Sequence, residues 1–410
     1  MELLKKYQQT KVFKNISALT ISEVVIRAAK FILLALAARW LGPTDFGVFN
    51  YLLASAALIA VIGDFGINRI ITRNVSQDQS LAKRYLGSFL VQLLLMIGYI
   101  AVATILLVLT HNVENLSLFI LLAIFTTVNV LSDYLWSFFR ATEDMVMEAR
   151  AKSAQALMVL VSGIALLLSP WPLVGLGLAY LLGAVITFVM AWRHILSRYQ
   201  VVFHLDFIMW RELVSKSWPI AIVAVSAFVF NQIDSIMLGA YGLLAEVGYY
   251  NAAYRIISGL LIPVFIINQV LFPKISRLSI DEGIKLVRQN VLVNFVIYAL
   301  VVVGVGLFGE WVLGVVFGAP FKVAQQAFFI LAMTLLLTAM VYPYSNYSIA
   351  KDYLKLNLWL SVLAAIMNIV LNWYLIPTYS YVGASVATLI TYGFLLFGYV
   401  ASLYWISRKN

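Results

Sequence analysis

Residues 16–73 read ISALTISEVVIRAAKFILLALAARW-LGPTD-FGVFNYLLASAALIAVIGDFGINRIITR, and this stretch decides the fold. Two apolar segments, 16–40 and 46–73, are separated only by the short turn Leu41–Asp45. Each segment reaches the length of about 20 residues that a helix needs to cross a bilayer. A turn this short leaves the two helices antiparallel and adjacent. The stretch therefore predicts a hairpin of two membrane-spanning helices.

The same alternation continues to the end of the chain and predicts an all-α integral membrane protein. About 12 transmembrane helices are expected. Their approximate positions are 16–40, 46–73, 86–110, 116–140, 151–169, 174–196, 217–241, 246–272, 287–313, 322–347, 354–376 and 381–405.

The placement of Lys and Arg predicts the orientation of these spans. The segments between successive spans are here called gaps and are numbered along the chain. The even-numbered gaps and the two termini hold 22 of the 28 basic residues. The others are Lys322, in an odd-numbered gap, and Arg27, Lys30, Arg39, Arg69 and Arg255, within or at the ends of spans. Basic residues near span ends stay on the cytoplasmic side. We therefore expect both termini in the cytoplasm and a multi-pass protein of the bacterial cytoplasmic (inner) membrane.

Composition excludes other classes of protein. The 410-residue chain is 63% hydrophobic and 11% charged, against about 25% charged in soluble domains. The net charge of +10 is explained by topology, so nucleic acid is not an expected partner. With no cysteine, disulfides and thiolate metal sites are excluded. The three histidines show no metal-ligand spacing, and no metal or cofactor is expected.

The longest inner gap divides the spans into two sets of six. Apolar residues recur among charged ones within Val201–Val214, which predicts an amphipathic helix on the inner membrane surface. We expect an N-terminal lobe at 1–196, a cytoplasmic amphipathic linker at 197–216 and a C-terminal lobe at 217–410. Gly47-Val48-Phe49-Asn50-Tyr51 is echoed 201 residues later by Gly248-Tyr249-Tyr250-Asn251-Ala252. Each set has six spans, an even number, so the second set begins on the same side of the membrane as the first. Such repeats are therefore parallel and not inverted.

Several short motifs, in order along the chain, resemble those of a known family. They are LGPTDFGVF (41–49), GDFGI (63–67), NQIDSIMLG (231–239), VGYYNAAYR (247–255), FPKIS (272–276) and IP-x4-VGAS (376–385). Together they resemble bacterial polysaccharide transporters, most of all O-antigen flippases of the Wzx type. That family belongs to the multidrug/oligosaccharidyl-lipid/polysaccharide flippase superfamily.

The resemblance implies a fold, a substrate and partners. It implies two six-helix lobes around a central cavity. It also implies movement of undecaprenyl-pyrophosphate-linked oligosaccharide from the inner to the outer leaflet by alternating access, without catalysis. The implied partners are this substrate, membrane lipids, and polysaccharide polymerase and chain-length proteins. Coupling to protons or sodium is a further expectation.

Charged residues within the first span are candidates for substrate binding. Glu23, Arg27 and Lys30 fall within one narrow stripe at about 100° per residue, and such residues normally face a cavity or a partner. One interpretation is a Glu23–Arg27 pair that only neutralises itself. The other is that Arg27 and Lys30 hold the pyrophosphate, and related flippases carry cavity-facing basic residues on this helix.

Acidic residues within the spans are candidates for ion coupling. Counting inward from the outer turns places Glu23, Asp64 and Asp133 at one depth. They could converge as a proton or sodium site, or be separate partners of Arg27, Arg69 and Arg140.

Counting residues inward from the outer turn also places Asp234 and Arg255 at equal depth on neighbouring helices. They are expected to form a salt bridge near the outer face, which could also act as an outer gate.

Two other functions stay open. One is a multidrug or metabolite cation-coupled antiporter of the same superfamily. The other is a membrane-embedded polysaccharide polymerase or ligase, although the longest outer gap, around Gly309–Phe321, contains only Glu310 as an acidic group.

The topology can be tested with single cysteines, because the chain has none of its own. A Gln200→Cys variant should react with a membrane-permeant maleimide in intact cells but be protected from an impermeant one. The reason is that residues 1–15, 197–216 and 406–410 are expected in the cytoplasm. Labelling of position 200 from outside would contradict the arrangement of two sets of six spans.

Overall fold

The computed structural model describes residues 2–109, 115–199 and 205–409, with side chains for Asn15 and for residues 17–105, 115–199 and 205–404. Regular structure in these ranges is entirely helical. The α-helices are α1 (Glu2–Asp64), α2 (Ile67–Gln77), α3 (Leu81–Gly87), α4 (Phe89–Leu109), α5 (Leu116–Ala141), α6 (Met145–Leu167), α7 (Pro172–Arg198), α8 (Phe207–Ala240), α9 (Leu244–Leu260), α10 (Ile262–Arg277), α11 (Ile280–Phe317), α12 (Gln325–Ala350) and α13 (Leu354–Lys409). A short 3₁₀ helix, Ala319–Ala324, precedes α12.

Length and hydropathy confirm the all-α membrane class. Ten helical stretches in the described ranges are long and apolar enough to cross a membrane. Two of them, Ser17–Gln77 and Leu354–Tyr404, have 61 and 51 residues, against the roughly 20 that one crossing needs. The count of twelve crossings and the cytoplasmic position of the termini stay predictions.

The two longest helices each contain a sharp bend within a predicted outer turn. In α1 the bend is at Gly42, whose φ of 75° is unfavourable for residues with a side chain. Pro43 follows and suits the first turn of the next arm, where its missing N–H is not needed. In α13 the bend is at Ser380, with φ 53°. The predicted turn at His111–Asn115 lies almost wholly outside the described residues.

Contacts between helices divide the chain into two compact units. Unit 1 comprises Met1–Trp40 and Leu52–Val225, and unit 2 comprises Leu41–Tyr51 and Ser226–Asn410. The first outer hairpin, 41–51, therefore packs with the C-terminal half of the chain. Residues 41–51 are thus grouped apart from the rest of the N-terminal half. The predicted lobes, 1–196 and 217–410, place these residues with the N-terminal half.

The core of unit 1 is aromatic and lies where α5 packs against α2, α3 and α7. Trp136, Phe138 and Phe139 of α5 are fully buried. The Tyr134 hydroxyl lies 2.6 Å from the Tyr85 carbonyl oxygen and 2.8 Å from the Ser88 hydroxyl. Close packing and internal hydrogen bonds, rather than removal from water, stabilise helix association in a bilayer.

The described part of the predicted linker is the start of a long helix. From Phe207 onward it forms the first turns of α8, which continues without interruption to Ala240. Met209 and Leu213 are buried in the core of unit 1, whereas Phe207 and Ile208 are 58% and 81% exposed. The described part of the segment therefore has a buried side and an exposed side, and its place on the inner membrane surface stays a prediction. Residues 200–204 lie outside the described residues.

Two glycines in unit 2 bring the equivalent hairpins of the two repeats into backbone contact. A methyl group on Gly47 would lie 1.7 Å from the Leu244 carbonyl oxygen, and one on Gly248 would lie 2.1 Å from the Pro43 carbonyl oxygen. Adding 201 to 43 and 47 gives 244 and 248, so the two contacts are each other's repeat equivalents. This reciprocity supports the internal repeat inferred from sequence.

The glycine contact predicts a specific sensitivity to a single methyl group. Gly47→Ala and Gly248→Ala should each lower the melting temperature of the detergent-purified protein. The reason is that overpacking against a backbone oxygen typically costs about 1–3 kcal/mol. Intrinsic tryptophan fluorescence during heating would measure the change.

The matched control is Gly304→Ala, also within a helix of unit 2, where an added methyl meets nothing within 4 Å. This variant should melt at or above the wild-type temperature, because alanine favours helix. Unchanged melting of both Gly47→Ala and Gly248→Ala would contradict the contact.

Candidate functional site

The charged stripe on the first span is exposed along the surface of α1. The Arg27 Nε donates to Glu23 Oε2 at 3.2 Å, and these side chains are 51% and 61% exposed. Lys30 is also exposed. Glu23 and Arg27 therefore pair one helical turn apart, and the three side chains together carry a net charge of +1. An exposed charged stripe on a membrane helix requires polar surroundings.

Asp133 belongs to a network of four charges between α5 and α6. Arg140 contacts Asp133 Oδ1 at 2.9 Å and Glu148 Oε1 at 2.6 Å. Lys152 contacts the same two oxygens at 3.0 and 2.9 Å. Glu148, the most buried member with a side chain 5% exposed, thus has two cations beside it. Such mutual neutralisation offsets the cost of placing carboxylates away from water.

Asp64 lies at a break in the second membrane crossing. Helix α1 ends at Asp64, Phe65 and Gly66 take φ values of 48° and 69°, and α2 begins at Ile67. The Asn68 Nδ2 donates to Asp64 Oδ1 at 2.6 Å. The Gly63-Asp64-Phe65-Gly66 motif therefore marks an interrupted helix.

Side chains from two other helices bond at this break. The Gln92 Nε2 donates to the Gly63 carbonyl oxygen at 2.7 Å, and the Trp210 Nε1 donates to Gln92 Oε1 at 3.0 Å. A methyl group on Gly66 would lie 2.7 Å from Ile220 Cγ2. The start of α8 thus packs directly on the interrupted helix, and Gln92 satisfies a carbonyl near its end.

The three acidic residues placed at one depth have different surroundings. Glu23 pairs with Arg27, and Asp133 pairs with Arg140 and Lys152. Asp64 accepts a hydrogen bond from the neutral amide of Asn68. These pairs resemble the expected alternative of separate partners. A shared ion site stays a prediction.

The most buried carboxylate of unit 2 is surrounded by neutral donors. Asp234 on α8 is 2% exposed. Its Oδ2 accepts from the Tyr250 hydroxyl at 2.5 Å and from the Thr388 hydroxyl at 3.0 Å. Its Oδ1 accepts from the Asn372 Nδ2 at 2.6 Å. Three helical segments, α9 and the two arms of α13, therefore converge on one carboxylate.

A second amide extends this group, which we call the Asp234 cluster: Asp234, Tyr250, Asn368, Asn372 and Thr388. The Asn372 Nδ2 lies 3.2 Å from Asn368 Oδ1, and both asparagines are fully buried. The Asn372 Oδ1 and Asn368 Nδ2 atoms are buried without a hydrogen-bond partner. The cluster thus holds oxygen atoms able to accept a proton or to ligate a small cation.

Arg255 has a hydrogen-bond partner in the first hairpin. Its Nη2 donates to Asn50 Oδ1 at 3.2 Å, and Asn50 belongs to the first outer hairpin. Asn50 also donates to the Phe46 carbonyl oxygen at 2.7 Å. This bond joins α9 to residues 41–51. The salt bridge between Asp234 and Arg255 and the outer gate both stay predictions.

Sequence reasoning missed Tyr250, Asn368, Asn372 and Thr388 as partners of Asp234. One signal was present, because Asn368 and Asn372 are spaced by four within an apolar span and so share a helix face. Their partner could not be assigned, since nothing local identifies the helix they face. Within the described ranges, no group of three or more His, Asp or Glu residues is arranged to hold a metal ion.

Solved structures of other membrane proteins share this fold. A lipid II flippase MurJ in an inward closed conformation matches with a TM-score of 0.76 and 15% identity, covering 94% of this chain and 87% of that one. An inward-facing multidrug resistance MATE family transporter of the MOP superfamily matches with a TM-score of 0.70 and 12% identity, covering 97% and 99%. These likenesses define the class as a MurJ- and MATE-like helical membrane transporter fold.

The chain belongs to the polysaccharide biosynthesis protein family, whose model matches residues 12–279. A relative described as a probable low-salt glycan biosynthesis flippase, Agl15 of Haloferax volcanii, is 23% identical over 387 residues. That match covers 91% of this chain and 79% of the relative. The resemblance inferred from the short sequence motifs is thereby confirmed.

The Asp234 cluster predicts that its donors stabilise one buried charge. Thr388→Val and Tyr250→Phe should each lower the melting temperature, because an unsatisfied buried acceptor costs about 1–3 kcal/mol, more when it is charged. In an Asp234→Asn background, the same substitutions should lower the melting temperature by a measurably smaller amount. A double-mutant cycle of melting temperatures measures this coupling.

The matched control is Thr391→Val, on the same helix and equally buried. The Thr391 hydroxyl bonds only the Ala387 carbonyl oxygen of its own helix. The change in melting temperature caused by Thr391→Val should be the same with and without the Asp234→Asn substitution. Strictly additive losses for Thr388 and Tyr250 would rule out the cluster. A parallel cycle of Asp234→Asn with Arg255→Gln decides whether those two residues couple.

Proposed function

We propose that this protein is a flippase for a lipid-linked oligosaccharide, and that Arg27 and Lys30 bind the phosphate groups of its carrier lipid. The observation that carries the proposal is the exposed, net-positive stripe of Glu23, Arg27 and Lys30 on a membrane helix. Charge-assisted hydrogen bonds from Arg and Lys are well suited to phosphate. A surface that only faced lipid would be expected to lack these charges.

Family membership and the glycan flippase relative support the same substrate class. In its specific form, the proposal is that an undecaprenyl-pyrophosphate-linked oligosaccharide, such as an O-antigen unit for lipopolysaccharide, moves from the inner to the outer leaflet. This form places the protein in a bacterial inner membrane. Polysaccharide polymerase and chain-length proteins would then act on the product, and no chemical step is assigned to the flippase itself.

Transport against a concentration difference needs a source of free energy, and coupling to a proton or sodium ion is the proposed source. The Asp234 cluster supports this role, because a carboxylate held only by neutral donors can gain a positive charge without displacing a cation. Asp64, bonded by Asn68, is the corresponding candidate in unit 1. Asp133 is less suitable, since Arg140 and Lys152 already neutralise it.

An antiporter of drugs or metabolites is the second candidate function. The MATE-like fold favours it, whereas the family of polysaccharide biosynthesis proteins favours the flippase. The difference lies in the substrate, so the transport experiment below includes both substrate classes.

Purified protein in proteoliposomes should move a fluorescent lipid-linked oligosaccharide to the opposite leaflet, where an impermeant glycosidase can cleave it. Arg27→Ala and Lys30→Ala should each slow this movement about tenfold or more. A hydrogen bond to a charged group contributes about 1.5–3 kcal/mol, and about 1.4 kcal/mol is tenfold. Asp234→Asn should abolish any dependence of the rate on an imposed proton or sodium gradient.

Arg39→Ala is the matched control, since Arg39 is exposed on the same helix near the span end and is expected to reach the interface. It should transport at nearly the wild-type rate. Normal transport by an Arg27→Ala/Lys30→Ala double variant would refute phosphate binding by the stripe. Movement of a cationic dye, with none of the lipid-linked glycan, would identify the protein as an antiporter.

A further inference from the structure

A second cationic feature lies at the N-terminal end of α11, away from the stripe on α1. A shallow, open cleft of about 650 Å³ is lined there by six residues of α11: Asp281, Ile284, Lys285, Arg288, Gln289 and Leu292. Helix α11 has 38 residues and so measures roughly 57 Å, against a hydrocarbon thickness of roughly 30 Å. Its first turns therefore extend to the level of the lipid headgroups, on the side predicted to be cytoplasmic.

Lys285 and Arg288 are available to a ligand in this cleft. Both are exposed and lie three residues apart, so they project from the same side of the helix. Among the described residues, neither forms an ion pair. Asp281, one turn away, leaves the lining with a net charge of +1. Gln289 adds an uncharged donor beside the two cations.

An apolar stripe continues directly from the cleft along the same side of α11. At about 100° per residue, Leu292, Val296, Leu300, Val303 and Leu307 lie within roughly 60° of Lys285. Their side chains are 63%, 53%, 69%, 57% and 72% exposed. The helix thus presents cations at one end and a continuous apolar surface beyond them. A phosphate-bearing lipid has the same order of chemical groups.

We propose that the cleft at Lys285 and Arg288 is a docking site for the diphosphate of the polyprenyl carrier, with the prenyl chain lying along the apolar stripe. The proposal rests on the proposed flippase function and adds a phosphate site in unit 2. A guanidinium can bind phosphate oxygens in a bidentate manner, and an ammonium adds a point charge. A diphosphate can contact both.

Anchoring of α11 by basic residues is the simpler explanation, because Lys and Arg commonly extend to the headgroup level. The chain offers a direct comparison. Lys274 and Arg277, in the last turn of α10, are also exposed and three residues apart, but neither lines the cleft. Anchoring predicts similar behaviour for both pairs, whereas a docking site distinguishes them.

The test uses the full chain in nanodiscs of zwitterionic lipid and measures binding of radiolabelled undecaprenyl diphosphate, which carries no sugar. Lys285→Gln/Arg288→Gln should weaken binding about tenfold or more, whereas Lys274→Gln/Arg277→Gln should leave it within about twofold. Both double variants replace exposed side chains and should retain the wild-type melting temperature. Unlabelled phosphatidylglycerol in equal amount should not displace the probe.

Equal binding by the two double variants would overturn the proposal, as would equal displacement by phosphatidylglycerol, which indicates an ordinary anionic-lipid site. If the Lys285→Gln/Arg288→Gln protein fails to fold, Leu300→Asn tests the stripe instead and should weaken undecaprenyl diphosphate more than farnesyl diphosphate. An equal loss of binding for undecaprenyl and farnesyl diphosphate would contradict the proposed contact between the prenyl chain and the stripe. Failure of the flippase proposal is separate, because it appears as absent transport by wild-type protein.

Discussion

The structure depends on the requirement that peptide groups in a bilayer be hydrogen-bonded within the protein, because the hydrocarbon core supplies no water. Long helices meet this requirement, and every interruption needs a compensating group. At the break after Asp64, the Gly63 carbonyl oxygen accepts from Gln92, which itself accepts from Trp210. The start of α8 is thus connected to an interrupted helix through the Gln92 side chain.

Charged groups in the two units are stabilised in different ways. In unit 1, Asp133 and Glu148 share Arg140 and Lys152, so two negative and two positive charges cancel. In unit 2, the hydrogen-bond donors to Asp234 among the described residues are the neutral groups of Tyr250, Asn372 and Thr388. Binding of a proton or cation would neutralise the Asp234 carboxylate, whereas Asp133 and Glu148 are already neutralised by basic side chains. This difference is the physical reason for proposing the Asp234 cluster, rather than the ionic network, as a coupling site.

The two repeats pack in equivalent ways at their hairpins but carry different polar side chains elsewhere. Gly47 and Gly248 make equivalent contacts, and the amides of Asn50 and Asn251 bond the carbonyl oxygens of Phe46 and Val247 in the same way. The exposed basic stripe lies in unit 1, and the neutral cluster lies in unit 2. Duplication therefore supplied a scaffold whose equivalent positions have since acquired different polar side chains.

Local properties of the sequence were sufficient to predict much of this protein. Hydropathy and span length predict the helical membrane class, the short turn Leu41–Asp45 predicts the place of the bend in α1 at Gly42, and short motifs identify the family. The Glu23–Arg27 pair was also predictable, because residues four apart on a helix are neighbours. Counting residues predicts the depth of Asp234 and Arg255 in the membrane but not the direction of their side chains. Only tertiary packing brings Asn372 and Thr388 to Asp234, and Asn50 to Arg255, because rotation about a helix axis is set by contacts between segments far apart in the chain.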